Sequence, residues 1–113
     1  MKKYSLLLFL TLSFFYCHSI ANAFTLKSSA FKMNSMIPDQ FTCNGTDQSP
    51  PLSWQNIPPN TQSLALVVDD PDAPDGTWTH WIVFNIPPTV TELGAGAPTP
   101  PGAANAKNSW GGL

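Results

Sequence analysis

Leu64-Ala65-Leu66-Val67-Val68, then Asp69-Asp70-Pro71-Asp72-Ala73-Pro74-Asp75-Gly76-Thr77, then Trp78-Thr79-His80-Trp81-Ile82-Val83-Phe84 is the stretch that decides how this chain folds. Two short apolar runs, Leu64–Val68 and Trp81–Phe84, are rich in Val, Ile, Leu and aromatics and are bounded by turn residues. That is the pattern of buried strands. Between them lie Asp69, Asp70, Asp72 and Asp75, with Pro71, Pro74 and Gly76, and then His80. A polar loop held between two core strands is where a rigid scaffold places a site.

Side chains alternate faces along a strand. A strand over 78–85 therefore places Trp78, His80, Ile82 and Phe84 on one face and Thr79, Trp81, Val83 and Asn85 on the other. On the preceding strand Leu64, Leu66, Val68 and Asp70 share a face. If the two strands are neighbours, Asp70 and His80 converge at one end of the sheet. Pro71 and Pro74 fix φ and stiffen the loop, which lowers the ordering cost of a bound ligand. A carboxylate beside an imidazole favours the protonated ring, which can donate to a phosphate. Asp72 is placed to cap the loop or to accept a ligand amine, and Trp78 to form an apolar wall. Asp69 and Asp75 read as solvated loop carboxylates or turn formers. Trp54 and Trp81 read as core.

Other chemistries fit less well. Asp70, Asp72 and Asp75 precede Gly76, yet their spacing is wrong for a calcium loop and Trp81 stands where its last carboxylate belongs. One mature His and one distant Cys make a poor zinc site. A hydrolase lacks a nucleophile elbow or a glycine-rich phosphate loop. No catalytic residue, metal or cofactor is expected.

Moving outward, Phe24–Phe31 alternates loosely and reads as a first strand. Asn44-Gly45 is a turn signal. Pro50-Pro51 feeds a short strand at Leu52-Ser53-Trp54, and Pro58-Pro59-Asn60-Thr61 connects to the central stretch. From Pro87 onward Gly, Pro and Thr give a loop without periodicity, and the final Asn108–Leu113 carries no stop signal. The 12 prolines among 113 residues argue for short strands and irregular loops over a helical bundle.

Met1–Ala23 reads as a secretory signal peptide: Lys2 and Lys3, an apolar core from Tyr4 to Tyr16, and an Ala21-Asn22-Ala23 cleavage site. The apolar core is short for a membrane span, which needs about 20 residues. The mature product is expected to be periplasmic or secreted, with no stable span. It keeps three lysines, no arginine and seven carboxylates, a formal charge of −4. That is a poor footprint for nucleic acid. Its one cysteine, Cys43, either pairs outside this sequence or stays free.

Ser49-Pro50-Pro51-Leu52-Ser53-Trp54, Ser63-Leu64-Ala65-Leu66, Asp69-Asp70-Pro71-Asp72-Ala73-Pro74 and Trp78-Thr79-His80-Trp81 with Asn85-Ile86-Pro87, in that order, resemble the phosphatidylethanolamine-binding protein family. The resemblance is to its bacterial Raf-kinase-inhibitor-like branch and runs from about Phe24 to Leu113. It implies a mainly β fold, an antiparallel β-sheet sandwich. Residues 24–113 would be the N-terminal portion of one such domain, incomplete at the C-terminus. It also implies binding of a phospholipid head group or similar small anionic ligand, without catalysis. Asp70, Asp72 and His80 fall on the family's anion pocket, Trp78 on its rim, and Pro71 and Pro74 in the supporting loop. The family's remaining pocket residues lie beyond Leu113. The resemblance further implies a partner for Cys43 in that later segment; the bland alternative is a buried free thiol. Two other readings stay open: a secreted inhibitor or modulator of a partner protein, and a fragment without function.

Overall fold

The computed structural model describes residues 22–112. The charged and apolar segments of the expected signal peptide lie outside these residues. The described chain is mainly β, with six strands and a single 3-10 turn at Asp39–Phe41. The strands are β1 (Thr25–Lys27), β2 (Leu52–Gln55), β3 (Leu64–Asp70), β4 (Trp78–Ile86), β5 (Glu92–Leu93) and β6 (Ala104–Asn105). They form two antiparallel sheets, ordered β1-β2-β5 and β3-β4-β6.

The sheets face each other across one small core. Trp54 and Leu93 come from the first sheet, and Leu66, Val83 and Ile86 from the second. Register explains the choice. Leu52 pairs with Leu93 on β5, and Leu66 pairs with Val83, so cross-strand partners share the inner face. Val83 and Ile86 are essentially inaccessible, and full burial of such a side chain is worth about 1.5–3 kcal/mol. The Trp54 indole N–H donates to the Val90 carbonyl at 2.9 Å, which anchors the connection after β4 to the core. At the open edge a space of about 70 Å³ remains, lined chiefly by Phe24, Leu26, Trp54 and Leu64.

β3 alternates as its sequence implies: Leu66 is buried while Ala65 and Val67 are exposed. β4 does not. It pairs nine residues against seven, and the two extra residues are taken up as bulges. One falls between the Leu66–Val83 and Leu64–Ile86 pairs, where Asn85 adopts φ 54°. A short polar side chain is among the few that tolerate this left-handed backbone. Ile86 thereby replaces Asn85 on the inner face, which corrects the strict alternation read from the sequence. The second bulge falls at His80: Val68 pairs with Trp81 and Asp69 with Thr79, leaving His80 without a partner.

Two further corrections follow from docking rather than local pattern. The first strand is only Thr25–Lys27. The segment after Pro87 is not a structureless loop, since it supplies β5 and β6. Leu93 seats in the core, and Asn105 accepts from Trp81 Nε1 at 3.3 Å while donating to Thr99 Oγ1 at 2.9 Å. Past β6 the chain continues along β4, with Ala106 N–H on the Ile82 carbonyl and Ser109 N–H on the Thr79 carbonyl. Asn108–Gly112 then closes a turn. The Asn44-Gly45 turn forms as expected, and it needs glycine: a Cβ at position 45 would collide with the Asp39 carbonyl.

Candidate functional site

β3 and β4 are neighbours, as the central stretch implies, and their shared end carries the candidate residues. Asp70 closes β3 and pairs in register with Trp78, not with His80. Asp69 pairs with Thr79, whose hydroxyl donates to Asp69 Oδ1 at 2.7 Å. Asp69 is thus a strand residue that ties the hairpin together rather than a free loop carboxylate.

The loop between them is built from turn chemistry. Asp70 Oδ1 accepts the Asp72 N–H at 3.0 Å, a side-chain turn that aims the chain away from the strand. Ala73-Pro74-Asp75-Gly76 follows, closed by Gly76 N–H on the Ala73 carbonyl at 3.1 Å. Proline suits the second position of such a turn and glycine the fourth. Gly76 takes φ 101°, which disfavours other residues. Asp70, Asp72 and Asp75 are all exposed, so Pro71 and Pro74 serve to hold solvated carboxylates in place.

His80 is exposed, and its bulge lifts it out of the ladder. Bulges are over-represented beside functional sites because they re-aim a side chain. Its ring contact is with Trp110, with centroids 5.1 Å apart and planes at 65°. Trp110 also meets Trp78 edge-on, at 5.2 Å and 76°. The three rings form a corner at the end of β4. Trp78 is half-buried, and its indole N–H is buried without an acceptor among the described residues.

Trp110 escapes a reading of the sequence because it lies 30 residues from His80 in a segment without periodicity. Asn108 is what brings it there. Its side-chain oxygen accepts from Trp110 N–H at 3.0 Å and Gly112 N–H at 3.1 Å, while its amide donates to the His80 carbonyl at 3.3 Å. Asn-Ser-Trp-Gly-Gly, a small polar residue two before an aromatic and followed by glycines, was the available signal.

Cys43 is an exposed thiol, which corrects the buried alternative. The concave spaces among the described residues include two away from the β3–β4 end: the apolar inter-sheet gap, and a more open one of about 220 Å³ beside Ser29, Ser53 and Glu92. No described helix is long and apolar enough to cross a membrane.

Fold and site together define a small antiparallel β-sandwich domain whose carboxylates, imidazole and exposed indole gather at one hairpin end. The chain belongs to the phosphatidylethanolamine-binding protein family, whose model matches residues 27–112. It is 52% identical over 73 residues to a UPF0098 protein of Methanothermobacter thermautotrophicus, covering 65% of this chain and 48% of that one. A UPF0098 protein of Pyrococcus horikoshii is 54% identical over 71 residues, with 63% and 35% covered. The chain thus spans about half or less of these relatives' length. Among solved structures, a phosphatidylethanolamine-binding protein homologue of Chlamydia trachomatis superposes with TM-score 0.75 at 42% identity, over 80% of this chain and 61% of that one. E. coli YbcL, described as a member of the mammalian family, gives TM-score 0.70 at 37% identity, over 78% and 61%.

Proposed function

We propose that this protein, after export, binds the head group of a phospholipid or a similar small phosphate-bearing ligand at the Asp70, Asp72, Trp78 and His80 end of the β3–β4 hairpin. It acts by binding, without catalysis. The observation that carries the reading is the bulge that takes His80 out of the ladder beside Trp78, opposite the strand that ends in Asp70. A ring N–H of His80 suits a phosphate oxygen as its acceptor. The carboxylates of the stiff loop suit an amine on the same ligand. Family membership supports the reading, because the matching family model is that of a phosphatidylethanolamine-binding protein.

An open, solvated site gives modest affinity. A dissociation constant of about 1 mM corresponds to only about −4 kcal/mol. The test is a titration of wild type, His80→Ala and Asp75→Asn with inorganic phosphate and with phosphoethanolamine. His80→Ala should weaken both ligands about tenfold or more, the scale of a charge-assisted contact, while Asp75→Asn at the turn tip leaves them unchanged. Equal binding by wild type and His80→Ala, with both folded, contradicts the site. Export is tested separately by sequencing the N-terminus of the released protein: Phe24 as the first residue supports cleavage after Ala23, and Met1 contradicts it.

A further inference from the structure

Resting on the head-group reading, we infer that Trp110 is a specificity-determining wall of the same site and favours ligands whose phosphate carries a methylated, quaternary ammonium. Trp110 is 64% exposed, yet it is not a loose surface ring. Its backbone N–H is held by Asn108 Oδ1, and the preceding Ser109 makes two hydrogen bonds with Thr79: its N–H donates to the Thr79 carbonyl and its hydroxyl oxygen accepts from the Thr79 N–H, each at 2.9 Å. Asn108 itself grips the carbonyl of His80. The indole is therefore fixed against the bulge while much of its surface stays open.

An ordered, exposed indole meeting Trp78 at 76° and His80 at 65° makes an open aromatic corner. Such corners hold quaternary ammonium groups, because the negative ring faces attract a cation whose methyl groups also bury apolar surface. A primary ammonium is more strongly hydrated and gains less there. The surrounding charge has the same sense: Asp70 pairs with Trp78 across the hairpin, and the 69–81 stretch holds no Lys or Arg. A phosphate on His80 and a trimethylated ammonium on Trp110 divide one zwitterionic ligand between two adjacent rings.

The experiment follows the indole N–H and imidazole signals by NMR in the protein as the cell produces it. Probes are inorganic phosphate, tetramethylammonium chloride, phosphoethanolamine and phosphocholine, added to wild type, W110L and W110F. Tetramethylammonium should move the Trp110 and Trp78 indole signals of wild type, and phosphocholine should bind about fivefold tighter than phosphoethanolamine, the scale of an exposed cation–π contact. W110L should lose that preference, with phosphocholine and phosphoethanolamine then binding about equally, and W110F should keep part of it. An unchanged preference in W110L, or indole signals unmoved by tetramethylammonium, overturns the inference. A His80 signal silent to phosphate while tetramethylammonium moves the indoles overturns the phosphate reading and leaves the aromatic corner standing.

Discussion

Trp54 and Trp78 begin as the same side chain on strands of one small domain, and the two regions treat them in opposite ways. Trp54 lies between the sheets, 5% exposed, with its indole N–H on the Val90 carbonyl. Around it Leu66, Val83, Ile86 and Leu93 form an apolar core. Trp78 stands at the hairpin end, half-buried, with a buried N–H that finds no acceptor among the described residues. Around it stand exposed carboxylates, an exposed histidine and an exposed indole. Native interiors leave few buried donors unpaired, so each exception asks for an explanation. The difference teaches that stability is concentrated in one region and unsatisfied polar capacity in the other. The same contrast separates the two bulges of β4: one returns Ile86 to the core, the other removes His80 from the ladder.

Substitutions sharpen or break this contrast. Ile86→Ala opens a cavity beside Val83 and Leu66 and should cost about 2–5 kcal/mol in urea unfolding; a cost under about 1 kcal/mol would mean that the inter-sheet contacts are not what holds the domain together. Trp54→Phe keeps most of the ring but leaves the Val90 carbonyl without its donor, and should cost about 1–3 kcal/mol. Asp70→Asn keeps an acceptor for the Asp72 N–H and removes the charge. It should weaken phosphoethanolamine by about 1–3 kcal/mol with the melting temperature unchanged, whereas a drop in melting temperature with unchanged affinity would move Asp70 from the site to the scaffold. Trp78→Phe deletes the unpaired donor and should be neutral or slightly stabilising, within about 1 kcal/mol. Were it to cost as much as Trp54→Phe, the two regions would not differ in the way described.

The central hairpin was legible because its signals are local. A short continuous apolar run marks Leu64–Val68, and Pro and Gly mark the loop, so β3, the loop and its neighbour β4 follow from the residues. The four-motif resemblance extends that to a two-sheet antiparallel fold. What stayed hidden depends on distant partners. Nothing near Ala104-Asn105 says strand; its pairing with Val83 and Phe84, and Asn105's bond to Trp81, make it one. The bulges also leave no local mark. Asn85 takes its left-handed φ because Ile86 is needed in the core. His80 was identified as a candidate by residue type, but its aromatic neighbour Trp110 is set by Asn108, whose role appears only once the chain folds back along β4.

The most direct measurement is a residue-resolved NMR titration with phosphoethanolamine. If the β3–β4 end is the binding site and the inter-sheet core is scaffold, shifts appear at His80, Asp70, Asp72 and the Trp78 and Trp110 indoles, while the Trp54 indole and the Val83 and Ile86 methyls stay still. Shifts centred on Trp54 and the inter-sheet gap, or none at His80 in a folded sample, would contradict the account.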